Sequence, residues 1–222
     1  MKNYFFPRAG GLTAGFAVFL ALFLSCATLP PETDSFSPET AAGVPVRPER
    51  PEPSLYIMGE GLMQREIMTD FLMLNNPAAD FDFVNAVVGY YIEESAAEGV
   101  NHDIAFAQMI LETGFLRFGG DVRPEQNNFA GLGAIGGGVP GLSFPEPRIG
   151  VRAHIQHLKG YASTEPLNQE LVNPRFRYLV MLNRIGSAPT IHGLTGAWAM
   201  DPEYCAKIIS ILNRLFDFSF DR

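Results

Sequence analysis

Residues 102–118, HDIAFAQMILETGFLRF, read as one helix with a dense apolar stripe. Asn101 stands where an N-cap is needed, and Asp103 falls in the first turn, where an acid suits the positive helix pole. Gly119 and Gly120 mark the expected end. Glu112 does not fit this pattern. Its neighbours are Met109, Ile110, Leu111, Phe115 and Leu116, and it lies one turn past Gln108, at the border of the stripe. A carboxylate there loses part of its hydration and sits near the negative helix pole. Both effects raise its pKa, as a general acid working near neutrality requires. Gly114, two positions on, removes a side chain and opens space for a bulky ligand. Periodicity alone equally allows a solvated glutamate or one paired with Arg117.

The segment that follows adds weight to the functional reading. Residues 121–133, DVRPEQNNFAGLG, pack amides, charges and an aromatic into one loop. Amides and carboxylates grip sugar hydroxyls and N-acetyl groups by paired hydrogen bonds, and an aromatic ring offers a sugar a flat apolar face. Gly131, Gly133 and Gly136 to Gly138 allow close backbone approach. A phosphate loop is the rival, but no strand precedes these glycines and no Lys-Ser/Thr pair follows them. Residues 121–148 show no sustained periodicity, which is long for a loop unless it is functional or holds short strands.

Helical spacing recurs on both sides. The expected helices are Glu60–Leu74, Phe83–Ala97 closed by Gly99, Val151–Ala162, a short Arg175–Arg184, and a last helix from an Asp201 cap and Pro202 to about Phe216. The class is α+β and mostly helical, with a small irregular or β-containing lobe in the middle. His154 and His157, three apart, can share a metal but lack a third ligand, so no metal is expected. A partly exposed structural role suits them better. Met58, Met63, Met68 and Met73 suit adaptable packing. Arg148 and Arg152 suit an ion pair at the base of the lobe, with Glu146 or an acidic sugar substituent as other partners. Tyr90 and Tyr91 suit packing.

Composition narrows the classes. Of 222 residues, 47% are hydrophobic and 18% charged, with 16 basic and 24 acidic side chains and a formal charge of −8. Residues 54–222 alone carry 12 basic and 19 acidic groups, a net of −7. That is too apolar for a disordered chain and too acidic to hold nucleic acid by counterion release. Two cysteines make no disulfide scaffold. Residues 1–25 combine Lys2, Arg8 and an uncharged apolar run, as in a secretory signal. Cys26 follows Leu24 and Ser25 in what resembles a bacterial lipobox, with Phe23 where leucine is usual, so Cys26 is the expected lipid-bearing residue. Residues 26–53 form a proline-rich tether, with seven of the 17 prolines in 27–53. Cys205 is then the only free thiol, with no basic neighbour in sequence except Lys207.

Residues 110–114, ILETG, followed by 127–133, NNFAGLG, resemble the bacterial glucosaminidase domain, glycoside hydrolase family seventy-three, also described as mannosyl-glycoprotein endo-β-N-acetylglucosaminidase-like. Residues 139–158, VPGLSFPEPRIGVRAHIQHL, resemble the segment after the family's glycine-rich loop, and 198–208, WAMDPEYCAKI, its closing motif. Ile57, Met58 and Gly59 resemble an extension seen in one branch. The resemblance spans roughly 55–218. It implies a lysozyme-like fold, with the acid on a helix facing a small irregular or β lobe, and cleavage of the β-1,4 bond after N-acetylglucosamine in peptidoglycan, without a cofactor.

By position, Glu112 matches the family's catalytic acid. Asn127, Asn128, Phe129 and Gly131 match its cleft motif, with an N-acetyl sugar as the implied ligand. Tyr204 matches the closing-motif tyrosine. Trp198 stands where members often have tyrosine, which removes a hydroxyl but keeps a stacking surface. The second catalytic group stays open between Glu146, Asp121 and the substrate's own acetamido group, since an inverting pair needs about 6.5–9.5 Å and substrate assistance needs no second carboxylate. The reading is a monomeric hydrolase of peptidoglycan strands, lipid-anchored to a bacterial membrane at its periplasmic or surface face. Affinity for the glycan should depend weakly on salt. A lytic transglycosylase and a non-cutting glycan-binding lipoprotein are the alternatives.

Overall fold

The computed structural model describes residues 49–134 and 136–222. The expected signal segment, Cys26 and most of the tether lie outside the described residues. Six α-helices are present among them: α1 Arg65–Asn75, α2 Phe81–Glu98, α3 His102–Thr113, α4 Pro147–Ala162, α5 Phe176–Met181 and α6 Tyr204–Phe220. None is long and apolar enough to cross a membrane. No strand forms among the described residues, only isolated bridges such as Tyr56 with Thr190 and Met58 with Val100. The middle lobe is therefore irregular and not β.

Helix α2 packs on α1 and α4, and α3 packs on α6. Tyr91, Phe106, Met109, Ile155, Leu158 and Phe216 are buried in one shared core, each contributing roughly 1.5–3 kcal/mol by removal from water. Asn101 caps α3 through Asp103 N at 2.9 Å and Ile104 N at 3.4 Å. Asp103 is only 2% exposed and accepts from Leu62 N at 2.7 Å and Met63 N at 3.1 Å, which ties the lead-in of α1 to the start of α3. Two charged clamps join α2 to α4. Glu94 accepts from Arg148 at 2.9 Å, Arg152 at 2.8 Å and Gln169 at 2.9 Å. Burial pushes Glu94 up, but the bonds from Arg152, Gln169 and Arg148 outweigh it and hold the carboxyl below its ordinary pKa. One turn along, buried Glu98 accepts from Lys159 Nζ at 2.8 Å. Arg148 and Arg152 thus serve Glu93 and Glu94 on α2, not Glu146.

Several helix ends differ from the expected ones. Helix α3 stops at Thr113, not Phe118, because Gly114 takes a left-handed conformation (φ 58°) and Phe115 N returns to Ile110 O at 3.0 Å. Phe115, Leu116 and Phe118 also take positive φ, at 60°, 60° and 50°. Their side chains turn back onto the core, and that burial offsets the strained backbone. Helix α1 starts at Arg65, five residues later than expected, and α6 starts at Tyr204, preceded by an Asp201 that accepts from Glu203 N at 2.9 Å.

Candidate active site

Glu112 sits in the last turn of α3, largely buried. Two donors from the segment leading into and opening α6 converge on one of its oxygens. Trp198 Nε1 donates to Oε1 at 3.1 Å, and the Tyr204 hydroxyl donates to the same Oε1. Burial raises the Glu112 pKa above the ordinary carboxylate range, and the bonds from Tyr204 and Trp198 pull it down without cancelling the rise.

Behind Tyr204 the bonds continue into the core. Gln108 Nε2 donates to the Tyr204 oxygen at 2.7 Å, Gln108 Oε1 meets His154 Nε2 at 2.9 Å, and His154 Nδ1 meets the Tyr91 hydroxyl at 2.9 Å. The proton positions follow from the end of the chain. A carboxylate only accepts, so Tyr204 donates to it. Gln108 must then turn its amide NH₂ to Tyr204 and its carbonyl to His154. His154 therefore carries its proton on Nε2 and accepts from Tyr91 on Nδ1. Every bond points the same way, from Tyr91 to Glu112. Burial first, and then the charge of Glu112, keep Tyr91 and Tyr204 protonated well above the ordinary phenol pKa.

Since Oε1 already receives two donors, the proton of neutral Glu112 belongs on Oε2. Gly131, at φ 62°, brings loop backbone up to that oxygen. A Cβ at this position would stand 3.1 Å from Oε2, so only glycine leaves the oxygen uncrowded. The site thus presents one carboxylic acid of raised pKa, its inner oxygen fixed by two donors and its outer oxygen beside a glycine. That arrangement can donate a proton to a bound ligand.

A family model described as Glucosaminidase, mannosyl-glycoprotein endo-beta-N-acetylglucosaminidase, matches residues 88–216. That span includes α3, the loop, α4 and most of α6. The chain belongs to the glucosaminidase family. An uncharacterised protein of Borreliella burgdorferi is 46% identical to this glucosaminidase-family chain over 164 residues, which cover 74% of this chain and 78% of that protein. No solved structure matches. The helical architecture is consistent with a lysozyme-like glucosaminidase domain.

In this glucosaminidase domain the other expected site residues fall in different places. Asn128 is 1% exposed, and its side chain is spent on its own loop, donating to Leu132 O and Leu142 O and accepting from Leu132 N, all at 2.9 Å. Asn127 donates to Phe144 O at 3.0 Å, and its carbonyl packs where a Cβ on Gly150 would be. Phe129 is 1% exposed, with its ring against Phe83 and Phe118. The Asn128 and Phe129 side chains are buried and hold the loop in shape, whereas Asn127 is half-buried with its amide bonded to the loop. Asp121 accepts from Gly138 N at 2.9 Å and lines an open hollow of about 710 Å³ with Arg123, Gln126 and Ser143; Glu112 does not line it. Glu146 precedes α4 as its N-cap residue, exposed, and its carboxylate has no partner among the described residues.

Three features escaped the sequence reading. Gln108 and Tyr91 are buried links to the acid. His154 and His157 are buried and neutral, not partly exposed, and no cluster among the described residues can hold a metal. Their one visible signal is position within the apolar stripe of α4, beside Val151, Ile155 and Leu158. Cys205 has a neighbour from outside its own helix, His192 Nδ1 at 3.1 Å from Sγ.

Burial, then the charge of His157, lowers His154 to a pKa of about 3, and burial, then Arg175, lowers His157 to about 4. The unfolded chain binds these protons near the ordinary histidine pKa of about 6.5, so between there and the folded values it holds more protons than the native state. The stabilisation is complete above pH ~6.5 and falls as the pH drops toward 4 and 3. Thermal melts from pH 7.5 to 4.5 should show Tm falling steadily, by an amount worth a few kcal/mol. The fall should be smaller in His154→Gln after comparison with that variant's own value at pH 7.5. A parallel fall in both would refute the assignment.

Proposed function

We propose that the protein is a peptidoglycan hydrolase that cleaves the β-1,4 bond after N-acetylglucosamine, with Glu112 as general acid. One observation carries this reading. Glu112 is a partly exposed carboxyl whose pKa is raised by desolvation and whose inner oxygen is fixed by Tyr204 and Trp198, leaving the outer oxygen at Gly131 to protonate a glycosidic oxygen. In the proposed step the Oε2 proton passes to the leaving oxygen, the bond to the anomeric carbon breaks, and water adds to that carbon and releases a proton. Tyr204 and Trp198 then hold the Glu112 carboxylate, and Trp198 offers an apolar face nearby.

Among the described residues no second carboxylate joins this network. Glu146 is free to order a water, whereas Asp121 is engaged with Gly138 in the larger hollow. A site with one engaged carboxylate also suits attack by the substrate's acetamido group, or lytic transglycosylation, in which no water is added. Mass spectrometry of peptidoglycan digested by residues 54–222, beside Glu112→Gln, separates these readings. Fragments with reducing N-acetylglucosamine ends, absent with the variant, are expected. Anhydromuramyl ends would replace hydrolysis by transglycosylation. Glycan bound but uncut by both proteins would leave a binding module.

We also propose that Cys26 carries a lipid that holds the domain at a bacterial membrane, on the basic, apolar and lipobox-like pattern of residues 1–26. Cys26→Ser is expected to move the protein from the membrane fraction to the soluble fraction on cell fractionation. An unchanged distribution would refute this.

A further inference from the structure

The geometry points to a carboxylate-binding subsite at Arg175 and Arg184, which receives the acidic peptide stem of the glycan strand cut at Glu112. This rests on the glycan reading above and extends it to a second part of the substrate. A cavity of about 140 Å³ beside the acid is lined by Gly131 and Trp198, the residues that flank the two Glu112 oxygens, and by Arg175. A further cavity of about 190 Å³ is lined by Arg175, Tyr178 and Arg184. The two share His157, Tyr161, Arg175 and Ala197, so adjoining hollows run from Gly131 and Trp198, the neighbours of Glu112, to Arg184.

The charges along this path stand out beside the candidate acid. The domain is acidic, and the cations between α2 and α4 are spent on acids, Arg148 and Arg152 on Glu93 and Glu94 and Lys159 on Glu98, while Arg117 and Arg214 are bonded to Asn75. By contrast, Arg175, Arg177 and Arg184 make no ion pair among the described residues. Tyr178 holds two of them in place, with the Arg175 guanidinium 4.7 Å and that of Arg177 4.9 Å from its ring centre. Arg177 also donates to the Tyr178 hydroxyl at 3.1 Å. Like charges collected around one ring repel each other, and a bound anion relieves that repulsion. Guanidinium forks match carboxylates in shape and donor spacing. In a stem-bearing strand the lactyl carboxyl of each muramyl sugar is tied up as the amide that carries the stem, so a free carboxylate brought to this path comes from the peptide stem. The His157 imidazole faces the same path but stays neutral, with its pKa lowered to about 4, and so does not compete for the anion.

The test is binding by the full domain in its Glu112→Gln form, which leaves the glycan intact. It compares insoluble peptidoglycan carrying its stems with the same material stripped of stems by an amidase and with the lactyl carboxyls so freed converted to amides, which leaves a neutral glycan. Tighter binding to stem-bearing glycan is expected, with a preference of about three- to tenfold at low salt that shrinks as salt is raised, in place of the weak salt dependence expected from the acidic composition alone. Stripped glycan should show little salt dependence. In Arg175→Gln/Arg184→Gln the preference should fall to about one, while circular dichroism and melting stay those of the parent. Equal binding of both glycans by the parent would overturn the subsite, as would a double variant that retains the preference or weakens both glycans alike. Because cutting is not the readout, these outcomes stand apart from failure of the hydrolase reading, which would show as no products from wild-type protein.

Discussion

Glu112→Gln is expected to lower kcat on peptidoglycan by about 10²–10⁴-fold, with KM and melting temperature near those of wild type. Glutamine has the same shape. Its carbonyl can take the place of Oε1 and still accept from Tyr204 and Trp198, so the chain back to Tyr91 keeps its donors and acceptors matched. Its NH₂ then occupies the position of Oε2 beside Gly131, where it can hydrogen-bond a glycosidic oxygen but cannot transfer a proton to it. The loss therefore falls on the chemical step and not on binding. In the wild type, activity should decline as the pH rises through the raised Glu112 pKa, because the acid must be protonated to act. This alkaline limb should be absent from any residual activity of the variant. A variant with kcat within threefold of wild type would remove Glu112 from the mechanism.

Lys159→Met is expected to be the most damaging single change to stability, at about 3–5 kcal/mol, and to lower Tm by on the order of 10 °C. Lys159 is 3% exposed and Glu98 is 1% exposed. Removing the ammonium leaves a buried carboxylate that still accepts from Asn168 N at 2.8 Å and Gln169 N at 3.0 Å but has lost its counter-charge. A second change, Glu98→Gln, removes that stranded charge and keeps an acceptor for the loop, so Lys159→Met/Glu98→Gln should recover part of the lost stability. The check is thermal melting of the three proteins. A single variant melting within 2 °C of wild type would show that the pair does not hold α2 to α4.

What the sequence revealed and what it hid divide along physical lines. Glu112 stood out because periodicity defines an apolar stripe and a carboxylate at its border is conspicuous. The helices were legible for the same reason, to within a turn or so. The end of α3 was hidden because Phe115, Leu116 and Phe118 look like a continuing stripe. Only their left-handed backbone, set by contacts from distant segments such as Asn76 Nδ2 to Phe115 O at 2.7 Å, turns the chain away. In the loop no periodicity distinguishes inside from outside. Asn128 and Phe129 have side chains suited to gripping sugars, yet both point inward and satisfy the loop itself. Gln108 was invisible as a partner because its two neighbours, Tyr204 and His154, are 96 and 46 residues away in sequence.

The row of donors ending at Glu112 bears on how the enzyme would reset between turnovers. A proton can hop along hydroxyls and imidazoles, but the Gln108 amide interrupts any such wire, since its nitrogen donates without surrendering a proton. The core behind the acid is thus insulating: it steadies the carboxylate left after each cut and cannot refill it. The replacement proton then has to arrive from the Gly131 side, where the glycan is proposed to bind. On the mechanism proposed here, recharging the acid and clearing the cleft become one event, and a strand that lingers after cleavage holds the enzyme in its discharged form.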